Sequence, residues 1–146
     1  MTELEDFIAR LERLNVMEVA VETINETSKV FLDLNRDQLK HGWRATGKAI
    51  GTYKNTEYSK MKNQENSLAG MGRMDLMLTH SMEEQMFIDV YPDKFLVGSS
   101  DEDKIDPKLL DGTFGLTDDH QKGYNFTVFL PLFLHKIQQI TGIVPN

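Results

Sequence analysis

Five glycines, Gly42, Gly47, Gly51, Gly70 and Gly72, punctuate a stretch of about thirty residues in which the apolar period is lost. That stretch limits what the chain can become. A long helix or a continuous strand cannot cross it, since each glycine weakens either element and favours turns. The residues before it read as helix and those after it as short strands and a further helix, so the chain is predicted to be α+β. With 146 residues and neither an internal repeat nor a low-complexity tract, one domain spanning 1–146 is expected.

The first forty residues are helical in pattern. Leu4, Phe7, Ile8, Leu11 and Leu14 recur at three and four residues, and Thr2 with Glu5 has the spacing of a capping box. Asn15 with Glu18 repeats the cap signal, so a break at Asn15 and then a long helix to about Gln38 are predicted. Met17, Val21, Ile24, Ser28, Phe31 and Leu34 mark the face expected to pack on the sheet, with a neighbouring subunit's helix as the alternative partner. Residues 41–74 are predicted to be an extended basic loop or arm, because long aperiodic loops tend to be functional or to order on a partner. A helical turn capped by Thr79 comes next. Within 75–116, Phe87–Tyr91, the turn Pro92-Asp93-Lys94, and Phe95–Ser99 read as a β-hairpin. Asp106-Pro107 opens a short helix ended by Gly112. Residues 117–146 read as a Thr117 cap and a C-terminal helix ended by Gly142, with Pro131 either in its first turn or kinking it.

Composition removes several function classes. The absence of Cys excludes disulfides, thiolate metal sites and cysteine catalysis. No apolar run reaches the roughly 18 residues of a membrane span, and the start Met1-Thr2-Glu3-Leu4 lacks the features of a signal peptide, so no membrane association is expected. The net charge of −7 argues against generic binding to nucleic acid. Gly42 to Lys48 matches seven positions of a phosphate-binding loop, but Ala49 stands where the metal-binding hydroxyl belongs and no apolar strand precedes it. Asp101 to Asp106 lacks the ligands and glycine of a calcium loop, and His41, His80, His120 and His135 have no metal-ligand spacing. Glu83 and Glu84 are adjacent, so a helix would point them apart. No enzymatic activity, metal or cofactor is expected.

Charge is unevenly divided. From Arg36 to Arg73 there are eight bases against three acids, a net of +5, which leaves −12 on the rest. A basic segment on an acidic body offers two complementary surfaces, suited to head-to-tail self-association. The candidate interaction residues are Arg36, Lys40, Trp43, Arg44, Lys48, Tyr53, Lys54, Tyr58, Lys60, Lys62 and Arg73, the aromatics being suited to anchor an interface. Stacking of those aromatics on a nucleic-acid strand is the alternative reading. Six methionines between Met61 and Met86 (Met61, Met71, Met74, Met77, Met82 and Met86) suit either a loosely shaped core edge or an adaptable protein interface.

Gln38-Leu39, Gly42, Gly47, Ile50-Gly51, Tyr53, Tyr58, Lys62, Asp75-Leu76, Thr79, Met82, Phe87–Val90 and Phe114-Gly115-Leu116 together resemble a set of small tailed-phage and prophage neck proteins, the tail-completion or head-tail connector proteins of virion morphogenesis. The resemblance covers Gln38 to Leu116. One departure is His80, which stands where a glycine usually comes after the threonine. The resemblance implies long helices packed on a small antiparallel sheet, assembly as a ring of identical subunits, and contact with portal or tail proteins. It also implies a place in the virion after synthesis in the host cytoplasm, with the basic loop as an arm reaching a neighbour. It carries no catalytic residue.

Overall fold

The computed structural model describes residues 2–76, 84–100 and 112–143. The predicted turn at Thr79 to Met82, His80, Met77, Glu83, the acidic run Asp101–Asp106 and the short helix after Pro107 lie outside them. Helix α1 (Glu3–Glu12) begins with the predicted capping box: Thr2 N donates to Glu5 Oε2 at 2.8 Å and Glu5 N to Thr2 Oγ1 at 3.1 Å. Asn15 caps α2 (Val16–Lys40), its Oδ1 accepting from Glu18 N at 3.1 Å. These two caps explain why the chain stops and restarts its helix here instead of running straight through.

Helix α2 is the mast of the fold, and its buried face overlaps the predicted one at Phe31, with Leu34 packed beside it, but otherwise follows a different ridge. Val19, Thr23, Thr27, Phe31, Asn35, Gln38 and Leu39 are buried, whereas Met17 is 52% exposed. The first five step by four residues, a ridge that winds slowly round the helix and so meets different neighbours along its length. Its threonines cost little to bury because Thr23 Oγ1 donates to Val19 O at 2.7 Å and Thr27 Oγ1 reaches Thr23 O at 2.7 Å and the Tyr124 hydroxyl at 2.6 Å.

The hairpin forms as predicted. Strands β1 (Met86–Val90) and β2 (Phe95–Ser99) pair antiparallel with Phe87 opposite Gly98 and Val90 opposite Phe95, and Tyr91 N donates to Lys94 O at 2.7 Å across the turn. The sheet packs on α2 through two apolar clusters. One gathers Leu39, Ile50, Leu76 and Met86, and the other Phe31, Leu116 and Tyr124; Val97 touches both. Phe31 stands edge-on to Phe95 at 5.3 Å and to Tyr124 at 5.2 Å, the favoured aromatic geometry.

The C-terminal helix starts earlier than Pro131 suggests. Thr117 caps α4 (Asp118–Tyr124), a π-helical stretch covers Asn125–Phe129, and α5 (Leu130–Thr141) continues to Gly142, whose φ is 74°. Within the π stretch Leu130 N bonds Asn125 O, five residues back, and the widened turn lets the chain pass Pro131, which has no amide to give and needs room for its ring. The helix therefore runs through Pro131 instead of stopping before it. Lys136 Nζ ties α5 to α2 at Glu26, 2.7 Å away, and at Glu22, 3.7 Å away.

At the end of α2, Gly42 has φ 81°, and a Cβ there would lie 2.8 Å from Met74 O. Gly47 has φ 82° with nothing within 4 Å. Gly42→Ala should therefore cost about 2 kcal/mol or more of unfolding free energy and Gly47→Ala about 1 kcal/mol, the left-handed cost alone. Urea denaturation of the two variants checks the difference.

Candidate interaction surface

Residues 41–76 form a folded lobe at the C-terminal end of α2, not an extended arm. Trp43 bridges Ala49 and Thr52 bridges Arg73 in antiparallel fashion, and Met74 N donates to Gly51 O at 2.9 Å. Between Thr52 and Arg73, the two halves of the second bridge, lies α3 (Thr56–Glu65), capped by Asn55, whose Oδ1 accepts from Tyr58 N at 3.0 Å. Periodicity missed this helix because its two buried residues, Ser59 and Lys62, are polar. The readable signals were the Asn55 cap, Glu57 in the first turn and Lys62 in the last. The run Gly42 to Lys48 is a tight turn at the end of a helix, without the preceding strand of a phosphate-binding loop.

Lys62 is 4% exposed and Asp75 2% exposed, with Nζ 3.2 Å from Oδ1. Asn66 Nδ2 donates to Asp75 Oδ2 at 2.9 Å and to Lys40 O at 2.8 Å, which pins the lobe to the last turn of α2. Burial pushes the Tyr53 hydroxyl up well beyond the ordinary tyrosine range, helped by the nearby Asp75 carboxylate. Burial also raises Tyr124, opposed by its hydrogen bond with Thr27.

The predicted interaction residues thus divide. Lys62 is a buried structural cation. Arg36 pairs with Asp33 at 2.9 Å, Arg44 donates to Ile50 O at 2.8 Å, and Arg73 lies over the Trp43 ring at 4.1 Å. Tyr53 and Tyr58 pack edge to face at 5.0 Å. Lys40 is partly buried, and Lys48, Lys54 and Lys60 are exposed, as is Trp43 at its remaining edge. Among the described methionines of the cluster, Met86 is buried, Met74 packs against the core, and Met61 and Met71 are exposed.

The surface that sequence reasoning did not single out is α1. None of its residues is buried, and Leu4 (66%), Phe7, Ile8 and Leu11 are all exposed. Its periodicity was legible; that the face would stay uncovered was not. Among the described residues no group of three His, Asp or Glu is placed to hold a metal ion, and no helix is long and apolar enough to cross a membrane. Comparison with protein-family models, with curated proteins and with solved structures finds no match.

Removing one member of the buried pair, by Lys62→Ala or Asp75→Ala, should destabilise the fold by about 3 kcal/mol, and Lys62→Met with Asp75→Leu should recover much of that loss. Chemical denaturation of the three variants checks it. The two raised tyrosines hold their protons more tightly folded than unfolded. Their contribution to stability is therefore complete below the unfolded value near pH 10 and is lost as pH climbs past it. An ultraviolet titration should show late tyrosine ionisation, with Tyr53→Phe and Tyr124→Phe each removing one late step.

Proposed function

We propose that this chain is a structural subunit of the head-tail junction of a tailed phage, working through contacts with copies of itself and with neighbouring virion proteins such as portal or tail components. The observation that carries the reading is the uncovered apolar face of α1, with Leu4, Phe7, Ile8 and Leu11 all exposed. The chain otherwise has an ordinary polar composition and a mean hydropathy of −0.41. Contiguous exposed apolar side chains on a polar body mark a protein contact. The division of charge, +5 from Arg36 to Arg73 against −12 elsewhere, adds complementary surfaces. The resemblance of Gln38 to Leu116 to neck proteins supplies the particular assembly.

Stacking on a nucleic-acid strand is less well supported. Arg73 covers one face of Trp43, and Tyr53 and Tyr58 are spent on each other. Mass spectrometry of purified phage particles from the source should find this chain at a stoichiometry of several copies per particle. Its absence from particles overturns the reading.

A further inference from the structure

Two surfaces of opposite character sit at opposite ends of α2. At its start, α1 presents Leu4, Phe7, Ile8 and Leu11 at the spacing by which a helix seats itself in a partner surface. Helical geometry puts Glu5 and Glu12 along one edge of that stripe and Glu3 along the other. From Thr2 to Arg13 there are four acids and two bases, and one of the bases, Arg10, is paired with Asp6 at 2.7 Å. At the other end hangs the folded lobe, with Lys48, Lys54 and Lys60 exposed beside two exposed acids, Glu57 and Glu65, a net of one positive charge among these five. On α3, Lys60 and the 46%-exposed Met61 turn away from buried Ser59 and Lys62.

The two surfaces cannot satisfy each other within one chain. Helix α2 has 25 residues, so it separates its ends by roughly 37 Å. Helix α1 packs on α5, with Arg10 against Gly142, and α5 is tied to Glu22 and Glu26 in the first half of α2. That keeps α1 at the end remote from the lobe. A second receiving site competes for α1: an open apolar groove of about 390 Å³ between Met17, Val21, Ile24 and the hairpin turn at Tyr91 to Phe95. Asp93 and Lys94 both line that groove and Glu18 flanks it, so it offers the acidic edges of α1 one base against two acids, where the lobe offers three exposed lysines against Glu57 and Glu65.

We infer that α1 of one copy docks, apolar face down and acidic edges outward, on the basic lobe of the next copy. The contact is heterologous, so repetition generates a ring where the rotation closes. The inference rests on the proposed reading of the chain as a self-assembling subunit and names the surfaces it uses. A ten-residue helix makes a small interface, so association is expected to be weak and salt-sensitive.

Sedimentation equilibrium of the full chain at up to about 1 mM in low salt tests it. The unmodified chain should form species larger than a monomer. Glu3→Lys with Glu12→Lys, and separately Lys48→Glu with Lys54→Glu and Lys60→Glu, should each weaken association about tenfold or more. All these side chains are exposed, and circular dichroism confirms that the helices persist. Combining both sets in one chain swaps the charges and should restore association. Pairing of α1 with α1 predicts instead that the lobe variant associates normally, and that result overturns the inference. So does failure of the combined variant to regain association, or a chain that stays monomeric throughout. The particle measurement separates the two failures. A monomeric chain present in particles sinks the docking contact alone, while absence from particles removes the assembly reading whatever the sedimentation shows.

Discussion

Gly115 is held by α2 as a neighbouring strand would hold it. Asn35 donates from Nδ2 to Gly115 O at 2.7 Å and accepts from Gly115 N at 3.0 Å, so one side-chain amide satisfies both backbone groups. Gln38, one turn on, donates to the same carbonyl at 2.9 Å and accepts from Thr117 N at 2.8 Å. Both side chains are almost wholly buried, where an unmet amide would cost far more than a met one gains. The contact fixes where α4 begins, since Thr117 is its cap, and thereby aims the helix that carries Tyr124 and Phe129 into the second apolar cluster. Leu116, between the two anchored residues, is delivered to that same cluster.

The lobe is attached by the same kind of bond. The amide of Asn66 reaches the carbonyl of Lys40, and the Lys62–Asp75 pair closes the loop behind it. A core this small, split into two clusters, leaves much of the positioning to buried polar groups. Such groups specify geometry because they are satisfied in one arrangement only. Three attachments on α2, at Thr27, at Asn35 and Gln38, and at the carbonyl of Lys40, thus set the C-terminal helix and the lobe on one rigid rod.

The elements that could be read from residues are those whose signals are local. The capping box at Thr2, the cap at Asn15, the hairpin turn at Pro92 and the stop at Gly142 each depend on a few neighbouring side chains, and each forms at the expected place. What escaped reading depended on distant partners. Helix α3 hides because Ser59 and Lys62, and no apolar residues, face inward, and Lys62 is tolerable there only because Asp75 comes thirteen residues later. The buried ridge of α2 is read wrongly by hydropathy because Thr23, Thr27, Asn35 and Gln38 are polar; Tyr124 and Gly115, which meet three of them, lie about eighty to a hundred residues away. Of the basic candidates, periodicity and charge could not tell which were spent inside the chain. Arg36, Arg44, Lys62 and Arg73 are engaged within it and Lys40 is partly buried, which leaves Lys48, Lys54 and Lys60 as the fully exposed bases of the set.

Helix α1 stands apart from this rigid assembly. Ten residues are fewer than an isolated helix needs to be stable in water, and among the described residues α1 is held by its capping box, the Asp6–Arg10 pair and its contact with α5. Such an element belongs to the low-stability end of a fold, where local opening is cheap. Covering Leu4, Phe7, Ile8 and Leu11 with a neighbour would remove apolar surface from water where the chain's own packing leaves it exposed. The four side chains that would bind the neighbour are then the same four that would stabilise the helix presenting them. A chain that docked in this way would order its weakest element by assembling, while the rod behind it would hold the lobe at a fixed distance to receive the next copy.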